Sequence, residues 1–174
     1  MEYRKNDIVT LEIVDCGTDG EGIGKADGFT VFVKDAVIGD IVTAKIMKAK
    51  KNYGYGRLME ILKPSPYRVE SVCPSARQCG GCQLQAVSYE EQKVFKEKKL
   101  RGHLERIGGF RDLPMEPMIG MDEPYHYRNK AQFPVGRNKE GRIITGFYAG
   151  RTHAIIENRD CALGIPQNKE ILDI

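Results

Sequence analysis

The chain of 174 residues has no tryptophan, no internal repeat and no low-complexity tract. Its 41% hydrophobic and 29% charged residues are the balance of a globular protein, which excludes a disordered chain. No apolar run approaches the roughly 18 residues that a membrane span requires, so no helical anchor and no membrane partner are expected. Behind the charged start Met1-Glu-Tyr-Arg-Lys-Asn-Asp7 there is no apolar core of the kind a secretory signal carries. A chain that is not exported sits in the reducing cytoplasm, and its five cysteines then do not form a disulfide framework. They are expected to be ligands, nucleophiles or core residues.

A strong charge of either sign is missing as well, the formal net charge being +3. Its distribution says more than its size. Between Lys45 and Arg57 stand five basic side chains, Lys45, Lys48, Lys50, Lys51 and Arg57, with no acid among them. Tyr53 and Tyr55 are interleaved. Cations for phosphates and rings for bases make the composition of a single-strand nucleic-acid surface. A strand edge guarded by lysines against aggregation has the same composition, so this stretch leaves both open.

Residues 1–63 alternate apolar and polar side chains at strand period over Ile8–Val14, Thr30–Val33, Asp40–Met47 and Tyr55–Leu62. Turn signals separate these runs: Asp19-Gly20, Gly22, Gly24, Asp27-Gly28 and Gly39-Asp40. Short strands in so few residues predict a five-stranded barrel, closed so that no edge is exposed. The segment Gly20-Glu-Gly-Ile-Gly-Lys25 is no phosphate loop, because Ala26 stands where Ser or Thr would be needed. A tight barrel turn accounts for its glycines.

Lys63-Pro-Ser-Pro-Tyr67 reads as a linker, and residues 64–174 as a second, α+β part. Ser88-Tyr-Glu-Glu91 is a capping box that opens a helix. The helix carries Phe95, Leu100, Leu104 and Ile107 and stops at Gly108-Gly109. Tyr127–Val135 and Arg142–Ala149 predict a hairpin around Asn138–Gly141, His153–Glu157 a further strand, and Pro166 the start of a last helix. Strand alternation sends Arg128, Lys130 and Gln132 outward as candidate RNA contacts, with Tyr127, Ala131 and Phe133 packed inward.

The cysteine spacing is Cys73-x5-Cys79-x2-Cys82, with Cys161 far downstream. Gly80-Gly81 lets the chain curl between two thiolates and leaves amide N–H groups to point at sulfur. Four thiolates suit either a [4Fe–4S] cluster or a structural zinc ion. Zinc sites usually pair two knuckles, whereas Cys161 stands alone, and that asymmetry favours the cluster without deciding it. Cys16, apart from the rest, is expected in the barrel core.

Cys73-Pro, Cys79-Gly-Gly-Cys82-Gln-Leu-Gln85, Tyr127-Arg-Asn-Lys130 and Asp160-Cys161-Ala-Leu163 together resemble the RNA uracil-5-methyltransferase family, in the type with a TRAM barrel ahead of an iron–sulfur domain. The resemblance implies an OB-like RNA-binding TRAM barrel over 1–63. It implies a [4Fe–4S] cluster on Cys73, Cys79, Cys82 and Cys161 in an α+β domain over 64–174. It further implies methyl transfer from S-adenosylmethionine to uracil C5 after thiolate addition at C6. The cofactor loop, nucleophile and base of that reaction have no counterpart in residues 1–174. A methyltransferase domain of the same polypeptide is therefore expected as partner, and this chain is expected to bind RNA without methylating it. Ribosomal RNA is favoured over transfer RNA as the target. In that family the 88–107 helix packs on the catalytic domain, so its apolar stripe is expected to be exposed here. Radical S-adenosylmethionine methylthiotransferases also join a TRAM barrel to a cluster, but their three-cysteine spacing differs. A stand-alone RNA-binding module with a zinc site is the non-enzymatic alternative.

Overall fold

In the computed structural model, which describes residues 3–173, five strands close the N-terminal barrel. They are β1 (Ile8–Cys16), β2 (Gly22–Ala26), β3 (Phe29–Lys34), β4 (Ile41–Ala49) and β5 (Tyr53–Lys63). Their order around the barrel is β1-β2-β3-β5-β4, and every pairing is antiparallel except β3 with β5. The alternation seen in the sequence is the in–out alternation of the wall. Val9, Leu11, Ile13, Val31, Val33, Val42, Ala44 and Ile46 point inward and pack with Ala26 and Ala36 into one core. Burying each Val, Leu or Ile contributes on the order of 1.5–3 kcal/mol.

The glycine-rich segment differs from its expected form. Gly20 does sit in a turn at φ +82°, but Gly22–Ala26 is strand β2 and supplies the fifth wall. Gly22 and Gly24 are inward positions. A Cβ on Gly24 would run into the Glu12 carbonyl oxygen and the Leu11 side chain. These glycines therefore mark close backbone approach within a strand rather than a turn.

At the β3–β4 turn, Asp40 is fully buried and collects four donors. It accepts from the Val37 N–H at 2.7 Å, the Ser65 N–H at 2.8 Å and two nitrogens of Arg68. Burial alone would raise its carboxyl. The Arg68 hydrogen bonds, the two backbone donors and the Arg68 charge outweigh burial and hold it below the ordinary value. The residues after β5 are thereby tied to the β3–β4 turn.

Helix α1 (Tyr89–Arg106) is capped by Ser88, whose Oγ accepts from the Glu91 N–H at 3.4 Å. The Ser88 N–H donates to the Tyr67 carbonyl, so only one half of the predicted box forms. The helix closes with Gly109 at φ +71° and the Phe110 N–H on the Leu104 carbonyl. It buries no residue, and Leu100 and Ile107 stand 50% and 81% exposed.

Two compact units result: Met1–Glu70 with Ala86–Leu113, and Ser71–Gln85 with Pro114–Ile174. α1 thus falls in the barrel's unit, whereas the sequence grouped it with the cysteines. The second unit holds a three-stranded sheet, β6 (Val135–Arg137), β7 (Ile143–Tyr148) and β8 (Ile155–Glu157), and α2 (Gln167–Leu172). Asn138 Oδ1 accepts from the Glu140 and Arg142 N–H groups to close the hairpin turn, with Gly141 at φ +79°. The predicted strand Tyr127–Val135 does not form. Residues 126–128 pair with 162–165 instead: the His126 and Arg128 N–H groups donate to Ala162 and Leu163, and the Ile165 N–H to Arg128. Tyr127 is consequently half exposed rather than inward, while Phe133 does pack on Phe147, ring centroids 4.9 Å apart. No helix of the described residues is long and apolar enough to cross a membrane.

Candidate functional site

The outer face of β3 and β5 carries three aromatic rings. Parallel pairing sets Phe32 beside Tyr55 and Thr30 beside Tyr53. Phe32 and Tyr55 are 5.6 Å apart at 32°; Tyr53 meets both edge-on, at 5.8 Å and 82° to each. Tyr53 and Tyr55 are about one-third exposed. Tyrosines packed against one another present ring faces without the entropy cost of ordering long side chains, which suits base stacking.

Cations frame this platform. Lys34 pairs with Arg57 across β3 and β5, and Arg57 with Lys45 across β5 and β4. The three form one row of like charge over adjacent strands, an arrangement that costs stability and suits a polyanion. Lys48 lies opposite Tyr55. Lys50 and Lys51 occupy the β4–β5 turn, where the Lys50 N–H donates to the Tyr53 carbonyl. The structure therefore sets Lys45, Lys48, Tyr53 and Arg57 on the paired strands β4 and β5, with Lys50 and Lys51 in the turn that joins them. The sequence reading missed Phe32 and Lys34, although the alternation Thr30-Val-Phe-Val33 already places Phe32 on the side opposite the core. Arg128, Lys130 and Gln132 are exposed in the second unit. They do not lie on a strand, so no shared face follows for them.

In the second unit the chain curls after Cys73. The Ala76 N–H donates to the Cys73 carbonyl, and the Gln78 and Cys79 N–H groups to the Ser75 carbonyl. Gly80 has no room for a side chain: a Cβ would lie 2.9 Å from the Tyr148 oxygen. All five cysteines are free thiols, with Cys73 and Cys79 buried and Cys82 and Cys161 half-buried. Nitrogen donors face the sulfurs. The Gly81 N–H donates to Cys79 Sγ at 3.3 Å and Asn158 Nδ2 to Cys73 Sγ at 3.6 Å. Gln85 accepts from the Cys73 N–H and hydrogen-bonds Cys82. Burial pushes the Cys82 thiol up; the Gln85 bond opposes this, and Cys161, Cys79 and Cys73 add to it. Cys82 is thus within electrostatic reach of each of the other three thiols. The buried Nδ2 of Asn168 has no partner, and it lies at the Gly164 turn that follows Cys161.

Donor type and the surrounding N–H groups fit a thiolate-bound centre. As the side chains stand, no group of three or more His, Cys, Asp or Glu among the described residues is arranged to hold a metal ion. Cys16 is only half-buried, outside the core cluster, and burial pushes its thiol up to about 11.

Residues 4–59 match the TRAM domain family. The chain is 45% identical over 169 residues to an uncharacterized RNA methyltransferase of Halalkalibacterium halodurans, covering 97% of this chain and 37% of that protein. It is 45% identical over 174 residues to another of Clostridium tetani, covering 100% and 37%. Among solved structures it resembles the Pyrococcus abyssi tRNA (uracil-54, C5)-methyltransferase bound to S-adenosyl-L-homocysteine, with a TM-score of 0.60 and 22% identity over 94% of this chain and 35% of that one. At that identity the likeness is one of fold. The chain spans about 37% of the length of these curated relatives. A TRAM domain in the barrel, and homology to RNA methyltransferases from one end of the chain to the other, are what the residues and the relatives together establish.

Proposed function

We propose that this chain is the RNA-binding, N-terminal part of an S-adenosylmethionine-dependent RNA uracil-C5 methyltransferase of the cytoplasm. The observation that carries the reading is the Phe32–Tyr53–Tyr55 platform with its row Lys34–Arg57–Lys45, set in the barrel that matches the TRAM family. Unpaired bases stack on the rings while the cations hold the phosphates on either side. Ribosomal RNA is the preferred target. Methyl transfer itself falls to residues outside this chain, and S-adenosylmethionine supplies the methyl group when bound there.

Cys73, Cys79, Cys82 and Cys161 would hold a [4Fe–4S] cluster in this reading, supported by the nearness of Cys82 to the other three thiols and by the Gly81, Asn158 and Gln85 groups around them. A cluster bound there would cross-link the fold, since methyl transfer has no redox step. The chain's own amides orient the thiolates.

Fluorescence anisotropy with a labelled oligouridylate tests the RNA reading. Tyr55→Ala is expected to weaken binding roughly tenfold, and Arg57→Gln to flatten the salt dependence by about one counterion. Binding by Tyr55→Ala equal to wild type would sink the proposed platform. Competition by ribosomal RNA and by transfer RNA transcripts then ranks the targets; preference for the latter would overturn that choice.

A further inference from the structure

We infer that the second unit carries an RNA site of its own, an open cleft at the β7–β8 turn that takes one unpaired nucleotide. The inference rests on the RNA-binding reading of this chain and adds a second point of contact to it. The cleft measures about 410 Å³ and is lined by Gly80, Tyr148, Arg151, Thr152 and His153, among others. Clefts of this volume hold small organic groups.

Three features fit a nucleotide. The Tyr148 and His153 rings stand edge to face, 5.5 Å apart at 81°, and both residues are exposed, so an aromatic surface is offered for stacking. Arg151 brings a planar guanidinium, which meets phosphate through paired donors and stacks on bases. The turn between them is stiff. The Ala149 N–H donates to the Ala154 carbonyl, and the Thr152 N–H and hydroxyl both donate to the Ala149 carbonyl. Arg151 is held at φ +61°, a conformation its side chain does not favour.

Backbone also lines the cleft, at Gly80 and Gly150. The Gly80 N–H donates to the Tyr148 carbonyl at 2.9 Å, and Cys79 bridges Ala149. A Cβ on Gly80 would also lie 3.0 Å from Gly150 Cα. Cys79 and Gly80 are thereby packed against the turn.

The test uses the full chain, purified anaerobically, with an oligouridylate carrying 4-thiouridine. After near-ultraviolet irradiation, adducts are mapped by tandem mass spectrometry. Adducts are expected on the peptide holding Tyr148–His153 as well as on that holding Tyr53 and Tyr55. In anisotropy, Arg151→Gly and Tyr148→Ala are each expected to bind roughly tenfold more weakly. Glycine suits the positive φ at position 151, so a loss there reports the missing guanidinium and not a misfolded turn. Adducts confined to the barrel, with Arg151→Gly binding as wild type, would overturn this site and leave the barrel reading intact. No adduct and no binding anywhere would overturn both.

Discussion

Among the described residues the barrel buries eleven apolar side chains, from Val9 to Ile46, while the cysteine-bearing unit buries Cys73, Cys79, Ile144 and Ala162. The barrel closes its sheet upon itself and fills the interior with Val, Ile and Leu. The other unit has one short sheet and one short helix, and two of its four buried apolar positions are thiols. A unit with so thin a core gains from a cross-link, and the centre proposed on its four thiols would supply one. Hydrophobic burial therefore holds the barrel, whereas on the proposed reading a thiolate-bound centre would hold the other unit.

The largest effect expected from this contrast is selective unfolding. Stripping iron with a chelator, or Cys79→Ser, removes hydrogen-exchange protection from β6, β7 and β8 and leaves β1 to β5 protected. Equal protection in both units after metal removal would break the contrast. Ile46→Ala does the converse: it costs the barrel about 2–5 kcal/mol, read as a lower urea midpoint for the barrel with β6 to β8 unchanged.

Asp40→Asn comes next, at about 3 kcal/mol, because it leaves the largely buried Arg68 guanidinium without its counter-charge. The folded Asp40 carboxyl lies below its ordinary value of 3.8. Its contribution is thus full above that pH and lost as pH falls through the lower, folded value. Wild-type barrel stability should drop on acidification in that window, and Asp40→Asn should drop less. The smallest effect is Ser88→Ala, about 0.5–1 kcal/mol, confined to amide exchange in the first turn of α1, since that helix buries nothing.

The barrel was legible because a closed sheet with one buried face forces strict alternation, as in Val9, Leu11 and Ile13. β2 was not legible: Gly22 and Gly24 carry no side chain to show a period, and only the crossing of β1 explains them. The predicted strand at Tyr127 failed for a related reason. Its alternation is real, but Pro134 offers no N–H, and the 126–128 backbone finds its partners in 162–165, a pairing distant in sequence. At the RNA face, Lys45 to Arg57 was visible as a composition. Phe32 and Lys34 join it only through the parallel β3–β5 pairing, which local sequence does not show. The cysteine spacing was the plainest signal of all, yet the Asn158 amide that reaches Cys73 Sγ comes from 85 residues further along the chain.

Iron, acid-labile sulfide and zinc per chain, with a visible absorption spectrum, would test most directly that the thin-cored unit is held by a cluster. The protein should be purified anaerobically. About four irons and four sulfides, lost in Cys161→Ser, are the predicted result. One zinc per chain without sulfide would contradict it.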